Sequence, residues 1–129
     1  MDRVRVPSAS PYAATIGFSA AVRAGDLVFV AGMTALNAEG EVVGGDDAYA
    51  QAREALRKVV EAVQAVGGRG AADVVQTRMY LADASDWEDV GRAHGEVLAD
   101  VRPAAAMLVT GLLDPRMRVE IEAVARMSG

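Results

Sequence analysis

Between Asp46 and Gly68 the chain writes out a helix that has to bury one side. Ala52, Leu56, Val59, Val60, Val63 and Val66 recur at helical spacing and form one apolar stripe. Asp46 or Asp47 is available as N-cap, and Gly67-Gly68 closes the segment, because glycine tolerates the left-handed cap conformation. Glu54 and Lys58, four residues apart, are expected to pair on the other side. Directly afterwards, in VVQTRMYLA (74–82), the period changes to two. Val75, Thr77, Met79 and Leu81 fall on one face, and Gln76, Arg78 and Tyr80 on the other. A helical stripe followed by an alternating strand restricts the chain to a layered arrangement in which helices lie on a sheet.

The remaining segments fit that arrangement. FSAAVRAGDLVFVAG turns at Gly25-Asp26 and predicts a hairpin of strands near 18–23 and 27–31. Glu41-Val42-Val43, between glycines, reads as a short edge strand. Ser85 and Glu88 have capping-box spacing for a second helix, with Trp87, Val90, His94, Val97 and Leu98 on one side, broken off by Arg102-Pro103. Strands near 104–110 and 117–125 follow. The predicted order is β-β-β-α-β-α-β-β in one α+β domain spanning 1–129, with both helices on one face of the sheet. In the last strand Met117, Val119, Ile121 and Ala123 point one way, and Arg118, Glu120 and Glu122 the other. That second face is expected to pack against partner subunits.

Composition removes several classes of function. Thirteen basic residues against eighteen acidic ones give a net charge of −5 without a local basic run, which argues against nucleic-acid or anionic-membrane binding. There is no cysteine, so disulfides and thiolate chemistry are excluded. MDRVRVPSASPY lacks the apolar core of a signal peptide, and no apolar run approaches the ~18 residues of a membrane span, so a cytoplasmic protein is expected. The glycines at 44–45 and 67–70 lack the strand–loop–helix context of a phosphate loop and read as turns. A lone histidine with no second ligand at helical spacing gives no reason to expect a metal.

The glycine-aspartate turn into an apolar strand ending in Ala31-Gly32, the helix with Ala50-Gln51-Ala52-Arg53, the segment Asp73-Val74-Val75-Gln76-Thr77, Asp83 after that strand, and Pro103-Ala104 followed by Val119-Glu120-Ile121-Glu122-Ala123 together resemble the reactive intermediate deaminase (Rid, or YjgF-like) family over nearly the whole length. The resemblance implies a chorismate-mutase-like α+β fold. It also implies a homotrimer with the sheets facing inward as a barrel, and small-molecule clefts between subunits. It further implies cofactor-free hydrolysis of imines and enamines derived from amino acids. In the family's Pro-Ala-Arg-Ser motif, the arginine clamps the substrate carboxylate bidentately. A glutamate fifteen residues later positions water.

By that resemblance Glu120 is the candidate catalytic base; the other reading is a sheet carboxylate paired with Arg118 or with Arg78 on a neighbouring strand. Ala105 stands where the arginine would be, Ala106 replaces the serine and Met107 a frequent cysteine. Phe18 takes the place of a tyrosine, and Gly91 that of an asparagine. These departures argue against the usual 2-imino-acid deamination. Two readings remain: a hydrolase or tautomerase for a small imine, enamine or related carbonyl compound, and a non-catalytic trimer that binds a hydrophobic metabolite or serves in regulation or protein protection. Candidate cleft residues are Phe18, Gly32, Arg78, Gly91, His94, Ala105 and Met107. Among these, Arg78 is a possible replacement anion clamp, and His94 is either a packing residue with one hydrogen bond or a proton-transfer group. Ribonuclease activity, attached to some relatives, fits this acidic chain least.

Overall fold

The structure, a computed structural model, describes residues 3–128. Six strands form one sheet in the order β1-β2-β3-β6-β4-β5. They are β1 (Arg3–Val6), β2 (Ala21–Ala24), β3 (Leu27–Met33), β4 (Val74–Leu81), β5 (Ala104–Val109) and β6 (Val119–Arg126). Among the described residues only β4 and β5 pair in parallel. A four-residue helix α1 (Ala13–Ile16) precedes β2, and α2 (Ala48–Ala65) and α3 (Trp87–Leu98) cover one face.

The helix stripe behaves as its spacing predicts. Ala52, Leu56, Val59, Val63 and Val66 are buried, while Val60 lies at the margin. They meet Val28, Val30, Met79, Leu81, Val119 and Ile121 of the sheet and Val90 of α3. Each large aliphatic side chain removed from water in this way contributes roughly 1.5–3 kcal/mol. Asp47 caps α2 by accepting from the Ala50 N–H at 3.0 Å. Gly67, at φ +96°, turns the chain off its end.

Several expectations change. Three strands do precede α2, but the third is Arg3–Val6, not Glu41–Val43. Residue 42 forms only one isolated bridge, with Leu36, because Gly40, Gly44 and Gly45 all adopt positive φ around it. Glu54 pairs with Arg57, while Lys58 donates to the carbonyls of Thr34 and Leu36 at 2.8 and 3.0 Å. A register shift between Val74 and Gln76 leaves Val74 buried and Val75 exposed. The Ser85/Glu88 capping box does not form. Asp83 instead caps a 3-10 turn by accepting from Ser85, and α3 begins after Asp86. Trp87 is exposed, and Ala93 takes a buried place on that helix. The helix-breaking role of Arg102-Pro103 does hold: α3 ends at Leu98 and Arg102 adopts φ +54° just before β5.

In β6, Val119, Ile121, Ala123 and Ala125 are buried beneath the helices, and Glu120, Glu122 and Val124 face the uncovered side. Among the described residues no helix is long and apolar enough to cross a membrane.

Candidate functional site

Glu120 lies on the uncovered face near the start of β6, the strand between β3 and β4. The β3–β6 register shifts between Val30 and Met33, which places Gly32 beside the glutamate. A Cβ built on Gly32 would come within 2.6 Å of Glu120 Oε2 and 2.8 Å of its Cδ. The carboxyl therefore lies in the space that a missing side chain leaves open. It is half-buried, and among the described residues it makes no hydrogen bond or ion pair. Burial, and secondarily the charge of Glu122, push its proton affinity above that of an ordinary carboxylate.

Two partners offered by the sequence are engaged elsewhere. Arg118 bonds Asp86 at 3.0 and 3.1 Å and Asp46 at 2.9 Å. Arg78 stands 3.6 Å from Glu122. On β4, Tyr80 pairs in register with Glu120, and its hydroxyl donates to Glu122 at 2.5 Å. That hydrogen bond, with desolvation adding to it, holds the phenol proton more tightly than usual.

The start of β6 is fixed by a side chain that the sequence marks only as part of the motif Ala50-Gln51-Ala52-Arg53. Gln51 on α2 is fully buried; its Nε2 donates to the carbonyls of Gly45 (2.8 Å) and Arg116 (3.1 Å), and its Oε1 accepts from the Arg118 N–H at 2.8 Å. This side chain ties the loop before α2 to the backbone two residues ahead of Glu120. A polar residue inside the apolar helical stripe was the available signal.

The other candidates divide between the two faces of the sheet. Ala31 donates to the Ala20 carbonyl, which brings the chain just after Phe18 alongside the Gly32 end of β3; Phe18 itself is 40% exposed. Gly32, Arg78 and Glu120 share the uncovered side. Ala105 and Met107 pair in register with Thr77 and Met79, whose side chains are buried toward the helices, so both belong to the helix-side face of the edge strand β5. His94 on α3 lies on that side too, with Nε2 2.8 Å from Thr77 Oγ1, and burial lowers its proton affinity. Gly91, one turn earlier, opens onto empty space. Within one chain, then, Glu120 and Ala105 lie on opposite faces. Among the described residues no group of three or more His, Cys, Asp or Glu side chains is placed to hold a metal ion.

Comparison with known proteins agrees with this architecture. The family model described as Endoribonuclease L-PSP matches residues 8–127. An uncharacterized protein of Streptomyces coelicolor is 43% identical, over 94% of this chain and 90% of that protein. The 3-aminoacrylate deaminase RutC of Acinetobacter baylyi is 30% identical, over 81% and 82%. The crystal structure of a YjgF/YER057c/UK114 family member from Mycobacterium tuberculosis superposes with a TM-score of 0.87 at 40% identity, covering 98% of this chain and all of that one. With its six-stranded sheet, helices on one side and chorismate-mutase-like fold, the chain belongs to the Endoribonuclease L-PSP family, which includes the YjgF and RutC proteins.

Proposed function

We propose that the protein is a cofactor-free hydrolase or tautomerase acting on a small imine, enamine or related carbonyl compound, with Glu120 as general base in clefts between the subunits of a homotrimer. The observation that carries this reading is the Glu120 carboxyl lying over Gly32, half-buried and without a hydrogen-bond partner among the described residues. A carboxylate in that state is free to accept a proton from water, and its raised proton affinity brings it nearer the range in which a base works well. The 3-aminoacrylate deaminase among the relatives supports the reaction class.

Two features support assembly. Phe29 on β3 and Leu108 on β5 are nearly half exposed on the sheet side that no helix covers, which leaves apolar surface there for a partner subunit to bury. A cleft containing both the Glu120 group and the Ala105 group also takes one group from each of two chains, because a single sheet separates them.

The test has two arms. Glu120→Gln is expected to abolish turnover of any imine the wild type hydrolyses, and light scattering is expected to give three times the 13.4 kDa chain mass. A stable monomer would remove the intersubunit cleft. The second reading, a ligand-binding or regulatory trimer without catalysis, is favoured by one observation: Gly91, Ala105 and Met107 bring no strong polar group to their side. Thermal stabilisation by a ligand that is never turned over would select it.

A further inference from the structure

The charges around Glu120 specify more than the presence of a base. On β6, Glu122 shares its face two positions on, roughly 6.6 Å along the strand. Arg118, two positions before, is spent on Asp86 and Asp46. On β4, Tyr80 stands directly across from Glu120 and fixes the Glu122 carboxylate through its hydroxyl, while Arg78 stands against that same carboxylate. From β3 comes Gly32, with no side chain at all. Beyond the sheet, His94 and Thr77 lie on the other face. Two acids thus face one arginine, and the arginine sits against the outer acid. The raised proton affinity of Glu120 reflects burial and Glu122, with no cation acting against them. A substrate carrying its own carboxylate would bring a third negative charge into this half-buried space, and Ala105 offers it nothing. A planar cation would be drawn to both glutamates.

We propose that this site takes cationic iminium compounds that carry no carboxylate, and that Glu122 is the residue that selects for the positive charge. The inference rests on the reading of Glu120 as the base. In the reaction, Glu120 removes a proton from water as the water oxygen bonds to the iminium carbon. The C=N π pair moves to nitrogen and leaves a neutral carbinolamine. Glu120 returns its proton to that nitrogen, the C–N bond breaks as the hydroxyl oxygen forms the carbonyl, and ammonia leaves and takes up the hydroxyl proton. The sum is iminium plus water giving carbonyl compound plus ammonium, with Glu120 regenerated.

The selectivity is tested by binding, so that it does not depend on turnover. Benzamidinium, a planar cation, and benzoate, its anionic counterpart, are titrated into the full-length protein while the backbone amide signals of Gly32 and Ile121 are followed by NMR. Benzamidinium is expected to bind at least tenfold more tightly than benzoate. Glu122→Gln should abolish that preference and Glu122→Asp should keep most of it. Equal or tighter benzoate binding, or a preference unchanged in Glu122→Gln, overturns the inference. Turnover by Glu120→Gln with the charge preference intact would instead defeat only the assignment of the base.

Discussion

The carboxyl of Glu120 occupies the volume that a side chain at Gly32 would fill, with Oε2 2.6 Å from the position of the missing Cβ. The atoms in the way belong to the end of a flexible side chain, so Gly32→Ala is expected to move the carboxyl without breaking the strand. Turnover should fall by about two orders of magnitude, as for a catalytic group displaced by about 1 Å. The melting temperature should change by only a few degrees. Kinetics and thermal unfolding of the same preparation check both.

Glu120 also gives stability a pH dependence of known sign. Its proton affinity is raised in the folded state, so the fold binds more protons than the unfolded chain between the two values. Its contribution is favourable below the unfolded-state value of about 4.3 and is lost as the pH rises through the higher folded value. Glu120→Gln is therefore expected to be more stable than wild type at pH 7, with the difference vanishing near pH 4. Chemical denaturation at the two pH values measures it.

His94 acts in the opposite direction. Burial lowers its proton affinity, so the stability it contributes is present above the unfolded value of about 6.5 and is lost as the pH falls from there through the lower folded value. Thr77→Val removes the hydroxyl 2.8 Å from Nε2 and leaves a ring nitrogen unsatisfied, at a cost of about 1–3 kcal/mol. Urea unfolding of Thr77→Val at pH 7.5 tests the magnitude, and NMR titration of the single histidine tests the direction.

Gln51 makes three hydrogen bonds from a fully buried position. Gln51→Leu keeps much of the volume and strands two carbonyls and one N–H, so a loss of about 3 kcal/mol or more is expected. Because Arg118 N–H is one of the orphaned groups, Glu120 should shift as well. A fall in kcat in excess of the loss of folded protein, measured at a temperature where the variant is folded, would show it.

What could be read in the sequence follows from local periodicity. The α2 stripe and the alternation in β6 each needed only neighbouring residues to declare an inside and an outside, and both are found in the fold. β5 has no such alternation: AAAMLV is exposed throughout, and only its register with Thr77 and Met79 tells which way Ala105 points. The bulge that exposes Val75 is equally silent in the sequence, since inserting one residue in a ladder is decided by the partner strand.

The sequence by itself therefore determined the two long helices, the strands from β2 to β6 and their order, the side of the last strand that carries Glu120, and the glycine at residue 32. Tertiary structure decided which segment became the third strand, that Lys58 and Arg118 are committed to other partners, and that Tyr80 locks Glu122 beside Glu120. The physical reason is the range of the interactions. Burial periodicity repeats within one or two turns of chain, whereas the charge and openness of the site come from β3, β4 and β6, which only the sheet register brings together.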